Sequence, residues 1–202
     1  GNGAKTIINE VTSTNPSTLK GYIEVAGNPA DVLIVNPNGM TVNGFGVING
    51  THMTLQGKDY IDIVGKGYGG QQIDSTFITD HLRNRRSELW GHHLRIDTDT
   101  LENTGNIAAE TMHISAKTMH NAGFVESKDT LQFAGNELVQ DKGIMKANQN
   151  VHISAHHIRN SNSSVLEAGT SVHITGDTLQ NDASHVVSHC LLYTSDAADD
   201  MQ

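Results

Sequence analysis

A repeat of about 19 residues constrains this chain more than any other feature in it. Leu94, Met112, Leu131, Val151 and Val172 open successive segments of one pattern, spaced 18, 19, 20 and 21 residues apart. The third position of each segment is large and apolar: Ile96, Ile114, Phe133, Ile153 and Ile174. The eighth holds Leu101, Met119, Leu138, Ile158 and Leu179, and the tenth is always an amide, in Asn103, Asn121, Gln140, Asn160 and Asn181. Apolar and polar residues alternate at each segment's start, as in Val151-His152-Ile153, which is the period of a strand with one buried face. No segment carries a helical period long enough to bury a face. A unit this short cannot close its own core, so successive units must stack and cover one another. The expectation is an all-β chain, a right-handed parallel β-helix (solenoid) with coils of about 19 residues. At a strand spacing of about 4.8 Å, inward amides of neighbouring coils come within hydrogen-bonding reach. Asn103, Asn121, Gln140, Asn160 and Asn181 are therefore expected to form a structural ladder.

Composition agrees with strands joined by tight corners. Aromatics make up only 4% of the chain and glycines number 20, which suits many short strands better than a helical bundle. Upstream of the repeat, strand candidates such as Val32-Leu33-Ile34-Val35 and Met53-Thr54-Leu55 alternate with Gly- and Asn-rich punctuation. Residues 65–90 carry the least pattern, and 81–90 fit either a short helix or another strand. A formal charge of -9 opposes nucleic-acid binding, which needs a basic footprint. No apolar run exceeds four residues, too few for a transmembrane helix. The chain opens Gly1-Asn2-Gly3 in mid-pattern and reads as an internal fragment of a longer protein. Its single cysteine, Cys190, cannot form an internal disulfide.

At Asn36-Pro37-Asn38-Gly39-Met40, followed by Asn43-Gly44-Phe45-Gly46-Val47-Ile48-Asn49, the sequence becomes specific. Residues 4–64 resemble the secretion domain of filamentous-haemagglutinin-type exoproteins. These are the large β-helical adhesins and contact-dependent growth-inhibition proteins of two-partner secretion in Gram-negative bacteria. The 19-residue segments resemble the haemagglutinin repeats of the same family. The resemblance implies recognition in the periplasm by an outer-membrane two-partner secretion transporter, then export and folding at or beyond the cell surface. It also implies a receptor on a host or neighbouring cell. Asn36, Pro37, Asn38 and Gly39 are carried over as the secretion motif that the transporter recognises. Turn chemistry alone makes the same block a β-turn, with Pro fixing φ and Asn-Gly supplying positive φ. Many relatives carry a cysteine pair around the glycine after this motif. Val42 and Phe45 stand there instead, so that disulfide is absent. On this reading residues 1–90 close the secretion domain and 91–187 begin the repeat shaft. Residues 188–202 form a non-repeat tail that resembles a translated sequencing adapter.

The histidines and the acidic residues suggest other chemistry. Among twelve histidines, His113, His152 and His173 share the outward second position, but Gln132 interrupts the row. Zinc needs three or four ligands at about 2.0–2.3 Å, so no metal site is assigned, and His92-His93 and His156-His157 are read as solvated. Parallel β-helices include polysaccharide lyases and hydrolases, and an extracellular enzyme of that kind is the alternative function. Glycoside hydrolysis needs two carboxylates at a defined separation. Asp97, Asp99 and Glu102 cluster, yet the next coil offers Ser115, Lys117 and His120 in their places. A non-enzymatic domain without cofactor is expected. Arg83, Arg85 and Arg86 form the only basic cluster, read as a solvated loop.

Overall fold

The chain winds as a three-faced parallel β-helix of about nine turns, each of roughly 20 residues. The computed structural model describes residues 3–196, and among these it contains nineteen strands and no helix. Every strand pair is parallel and joins one coil to the next. On the first face Leu33, Thr54, Thr76, Arg95, His113, Gln132, His152, His173 and Tyr193 stack in one outward row. The residues on either side of that row point inward. One inward row runs Ile34, Leu55, Phe77, Ile96, Ile114, Phe133, Ile153 and Ile174, none more than 3% exposed. The third repeat position is thus a continuous apolar column, as the periodicity predicts.

The least patterned segment turns out to be coil like the rest. Tyr68–Gly70, Asp74–Asn84 and Glu88–Asn103 are all strands, so residues 81–90 hold no helix. Ser75 occupies the first repeat position, where the other coils carry an apolar residue, and is fully buried. It is tolerated because its Oγ donates to Ile73 O at 2.9 Å and meets Tyr68 Oη at 2.8 Å. The expectation of a solvated arginine loop needs correction for Arg83. It lies in a strand directly opposite Asp62 and clasps that carboxylate through Nε at 2.7 Å and Nη2 at 3.1 Å. Arg85 reaches the same carboxylate at 3.6 Å, while Arg86 turns the corner with a φ of 52°.

Tyr68 is the anchor of an aromatic group with Phe45 and Phe77, at ring separations of 6.2 and 5.4 Å. Burial pushes its phenol up to about 12, opposed only in part by the Ser75 hydrogen bond. In the unfolded chain the same proton leaves near pH 10. Folded-state stability is therefore complete below pH 10 and declines as pH rises toward 12, by about 2 kcal/mol at about pH 11.5. Urea melts at pH 8 and 11.5 are expected to show this loss in the parent and a smaller one in Tyr68→Phe. Equal losses in the two proteins would refute the assignment.

At the far end, Leu191–Ser195 pairs in register with Ser171–Thr175, although the repeat pattern has dissolved there. Parallel pairing uses backbone groups and does not require an apolar sequence. Leu191, Leu192 and Tyr193 accordingly remain about half exposed. The rest of the expected tail, residues 197–202, lies outside the described residues.

Candidate functional site

The Asn36-Pro37-Asn38-Gly39 block forms the corner between Ala30–Val35 on the first face and Met40–Ile48 on the second. Gly39 N–H donates to Asn36 O at 3.2 Å, closing a four-residue turn with Pro at its second position. Asn36 is fully buried. Its Oδ1 accepts the Asn38 N–H at 3.0 Å, and its Nδ2 donates to Asn15 O at 3.0 Å and Ser17 Oγ at 2.7 Å in the preceding coil. Asn38 Nδ2 donates to Ser13 O at 2.7 Å. Pro37 O accepts the N–H of Asp59 from the following coil at 3.2 Å. One corner therefore binds three coils together. Within the expected Asn-Gly pair the positive φ is supplied by Gly39, at 109°, and not by Asn38. A Cβ at residue 39 would run into the Tyr60 ring, so this position requires glycine twice over. Pro37 is exposed and Asn38 half-buried, so they form the part of the block that faces solvent.

The five amides stack on the second face. Asn103 Nδ2 donates to Asn121 Oδ1 at 2.9 Å, Asn121 to Gln140 Oε1 at 2.8 Å, Gln140 to Asn160 Oδ1 at 3.1 Å and Asn160 to Asn181 Oδ1 at 2.9 Å. Each of the upstream four also donates to a carbonyl of the next coil: Phe124, Ile144, Val165 or His185. A sixth member escaped the sequence reading. Asn84 lies 19 residues before Asn103, is 1% exposed, and donates to Asn103 Oδ1 at 2.9 Å. Its own Oδ1 is buried with no hydrogen-bond partner, because Ile63 occupies the place above it.

The remaining candidates are dispersed. His152 and His173 stack at 5.9 Å and His173 meets Tyr193 at 5.5 Å, while Gln132 separates them from His113. The acidic trio is not a facing pair: Asp99 meets Lys117 at 3.3 Å, Glu102 meets His81 at 2.7 Å, and Asp97 is exposed. Val42 and Phe45, where relatives carry cysteines, fill the core at 0% and 3% exposure. Cys190 is exposed and free.

These observations define a β-helical rod whose buried polar side chains bind its own coils to one another. A sequence profile of the TPS secretion domain matches residues 1–190, and the chain belongs to that family. It is 39% identical over 113 residues to a 16S rRNA endonuclease CdiA of Enterobacter cloacae, covering 48% of this chain and 3% of that protein. It is 50% identical over 52 residues to the filamentous hemagglutinin of Bordetella pertussis, covering 26% of this chain and 1% of that protein. A crystal structure of a filamentous hemagglutinin secretion domain superposes with a TM-score of 0.52 at 16% identity. The superposition covers 95% of this chain and 75% of that one, and it establishes the shared fold. The chain thus spans only a few per cent of the length of the curated relatives it matches. What it shares with them is a secretion domain.

Proposed function

We propose that this chain is the secretion domain and first shaft coils of a large exoprotein, exported through a partner outer-membrane transporter to the cell surface or beyond. The match of the TPS secretion domain to residues 1–190 carries this reading. The chain acts as an export signal and a rod and carries out no catalysis. The nuclease activities in the relatives' names belong to proteins of which this chain matches about 3%. Adhesion to a host or neighbouring cell is the role of the whole rod. The division into residues 1–90 and 91–187 is part of the same reading. It is supported by the amide ladder, which begins at Asn84 close to that boundary.

Within this reading, the exposed edge of the Asn36–Gly39 corner is the element the transporter contacts. Gly39→Val should distort the corner, because a β-branched residue resists positive φ and meets Tyr60. Asn38→Ala keeps the Gly39-to-Asn36 backbone bond of the turn and removes a half-buried amide at its solvent edge, together with that amide's bond to Ser13 O. Secretion of the full-length protein with its transporter is expected to fall several-fold in both variants, assayed as extracellular against periplasmic protein. Normal extracellular yield from both would overturn the role of the block.

A further inference from the structure

Two adjacent residues on a straight strand point to opposite sides, yet the rings of His92 and His93 stand 4.3 Å apart. The cause is local. The strand Glu88–Asn103 turns from the third face to the first at Gly91, and the bend brings both imidazoles to the outside of one corner. Asp74, at the matching corner of the preceding coil, completes the group. One donor atom from each of Asp74, His92 and His93 lies within 4.8 Å of the other two.

We infer that Asp74, His92 and His93 bind a divalent transition-metal ion, with zinc the best match. Donors around a tetrahedral ion at about 2.0–2.1 Å stand about 3.3 Å apart, and these three, on exposed or half-buried side chains, already lie within 4.8 Å of one another. Two imidazoles and one carboxylate suit zinc and its neighbours in the series, whereas calcium and magnesium prefer oxygen alone. The ligands are partly oriented already. Asp74 Oδ1 accepts the His93 N–H at 3.3 Å, and Thr111 Oγ1 in the following coil hydrogen-bonds His93 Nδ1. Bonds of this kind around a ligand set raise metal affinity. The neighbouring charged or titratable groups include His52, paired opposite Asp74 with its Nε2 held by Thr76 Oγ1 at 2.8 Å, Arg95 and His113, which line the groove beside Asp74 and His93, and Glu110, Glu126 and Lys128, which line the groove beside His92. Three protein ligands leave a fourth position for water or another ligand. A bound ion would tie Asp74 of one coil to two side chains of the next, close to where the ladder begins.

The test uses the untagged full chain, stripped with a chelator and titrated with zinc chloride by calorimetry. One zinc per chain is expected, with an affinity in the micromolar range or tighter. Asp74→Asn, nearly isosteric, and His93→Ala should each weaken binding by about tenfold or more. The double variant His152→Ala, His173→Ala, which removes the other histidine row, should bind like the parent. Cobalt(II) in the parent should give the visible absorption of a four-coordinate nitrogen–oxygen site, a reading that does not depend on how the variants fold. No stoichiometric binding, undiminished binding in Asp74→Asn, or loss confined to the His152/His173 variant would each overturn the assignment.

Discussion

Ile153→Asp is expected to unfold several coils at once. Ile153 is 2% exposed and stacks between Phe133 and Ile174 in the inward column of the first face. The substitution forfeits about 1.5–3 kcal/mol of apolar burial. It also sets a carboxyl group where no described polar partner awaits it, a desolvation penalty of at least several kcal/mol. The sum is comparable to the total stability of an ordinary domain, about 5–15 kcal/mol. In a solenoid each coil is stabilised by its neighbours, so the damage should spread both ways along the axis. Hydrogen exchange is expected to show lost protection over residues 131–181, with coils near Phe77 less affected. Ser154→Asp, one residue on and facing solvent, should change stability by less than about 0.5 kcal/mol. Similar melts for Ile153→Asp and Ser154→Asp would contradict the inward column.

How far the sequence reveals this structure depends on which residues carry the pattern. From Leu94 onward, apolar residues recur at the same positions in coil after coil, and both the strand phase and the apolar columns can be read directly. Upstream, the same geometry is written with different residues. Ser75 stands at the first position, Phe77 at the third, Leu82 at the eighth and Asn84 at the tenth, so the coil is present but its opening residue is polar. Buried hydrogen bonds to Tyr68 and Ile73 make that serine acceptable, and they involve residues outside the repeat spacing. Asn84 was hidden for the same reason. The Asn36–Gly39 turn is legible from turn chemistry alone, but its grip on Ser13, Asn15, Ser17 and Asp59 depends on how coils of unequal length align. The grouping of Asp74 with His92 and His93 is less legible still. It arises from a corner bend and a coil-to-coil register, neither of which leaves a periodic trace.

The amide ladder should show a strong dependence on position along the rod. Asn121 sits within it: its Oδ1 accepts from Asn103 Nδ2 at 2.9 Å and Gly123 N–H at 3.2 Å, and its Nδ2 donates to Gln140 Oε1 at 2.8 Å and Ile144 O at 3.3 Å. Asn121→Leu strips partners from all four groups in a dry interior, and each buried group left unpaired costs about 1–3 kcal/mol. Some of that is recovered by apolar burial and by the bonds that Asn103 Nδ2 keeps to Gly105 O and Phe124 O, whereas Gln140 Oε1 loses its donor, leaving an expected loss of about 3–5 kcal/mol. Asn84 differs because it begins the ladder, and its Oδ1 already lacks a donor. Asn84→Leu removes that unsatisfied atom, and Asn103 Oδ1 still accepts the Gly105 N–H at 3.2 Å. The carbonyls of Ser87 and Asn106 each lose one donor, at 3.0 and 3.3 Å. The net cost at Asn84 should therefore be about 1 kcal/mol, even though both asparagines are equally buried. Urea midpoints for the two variants, converted with a common slope, should differ by about 2 kcal/mol or more. Equal midpoints would mean that the amides stabilise the rod by filling space rather than by bonding in sequence along it.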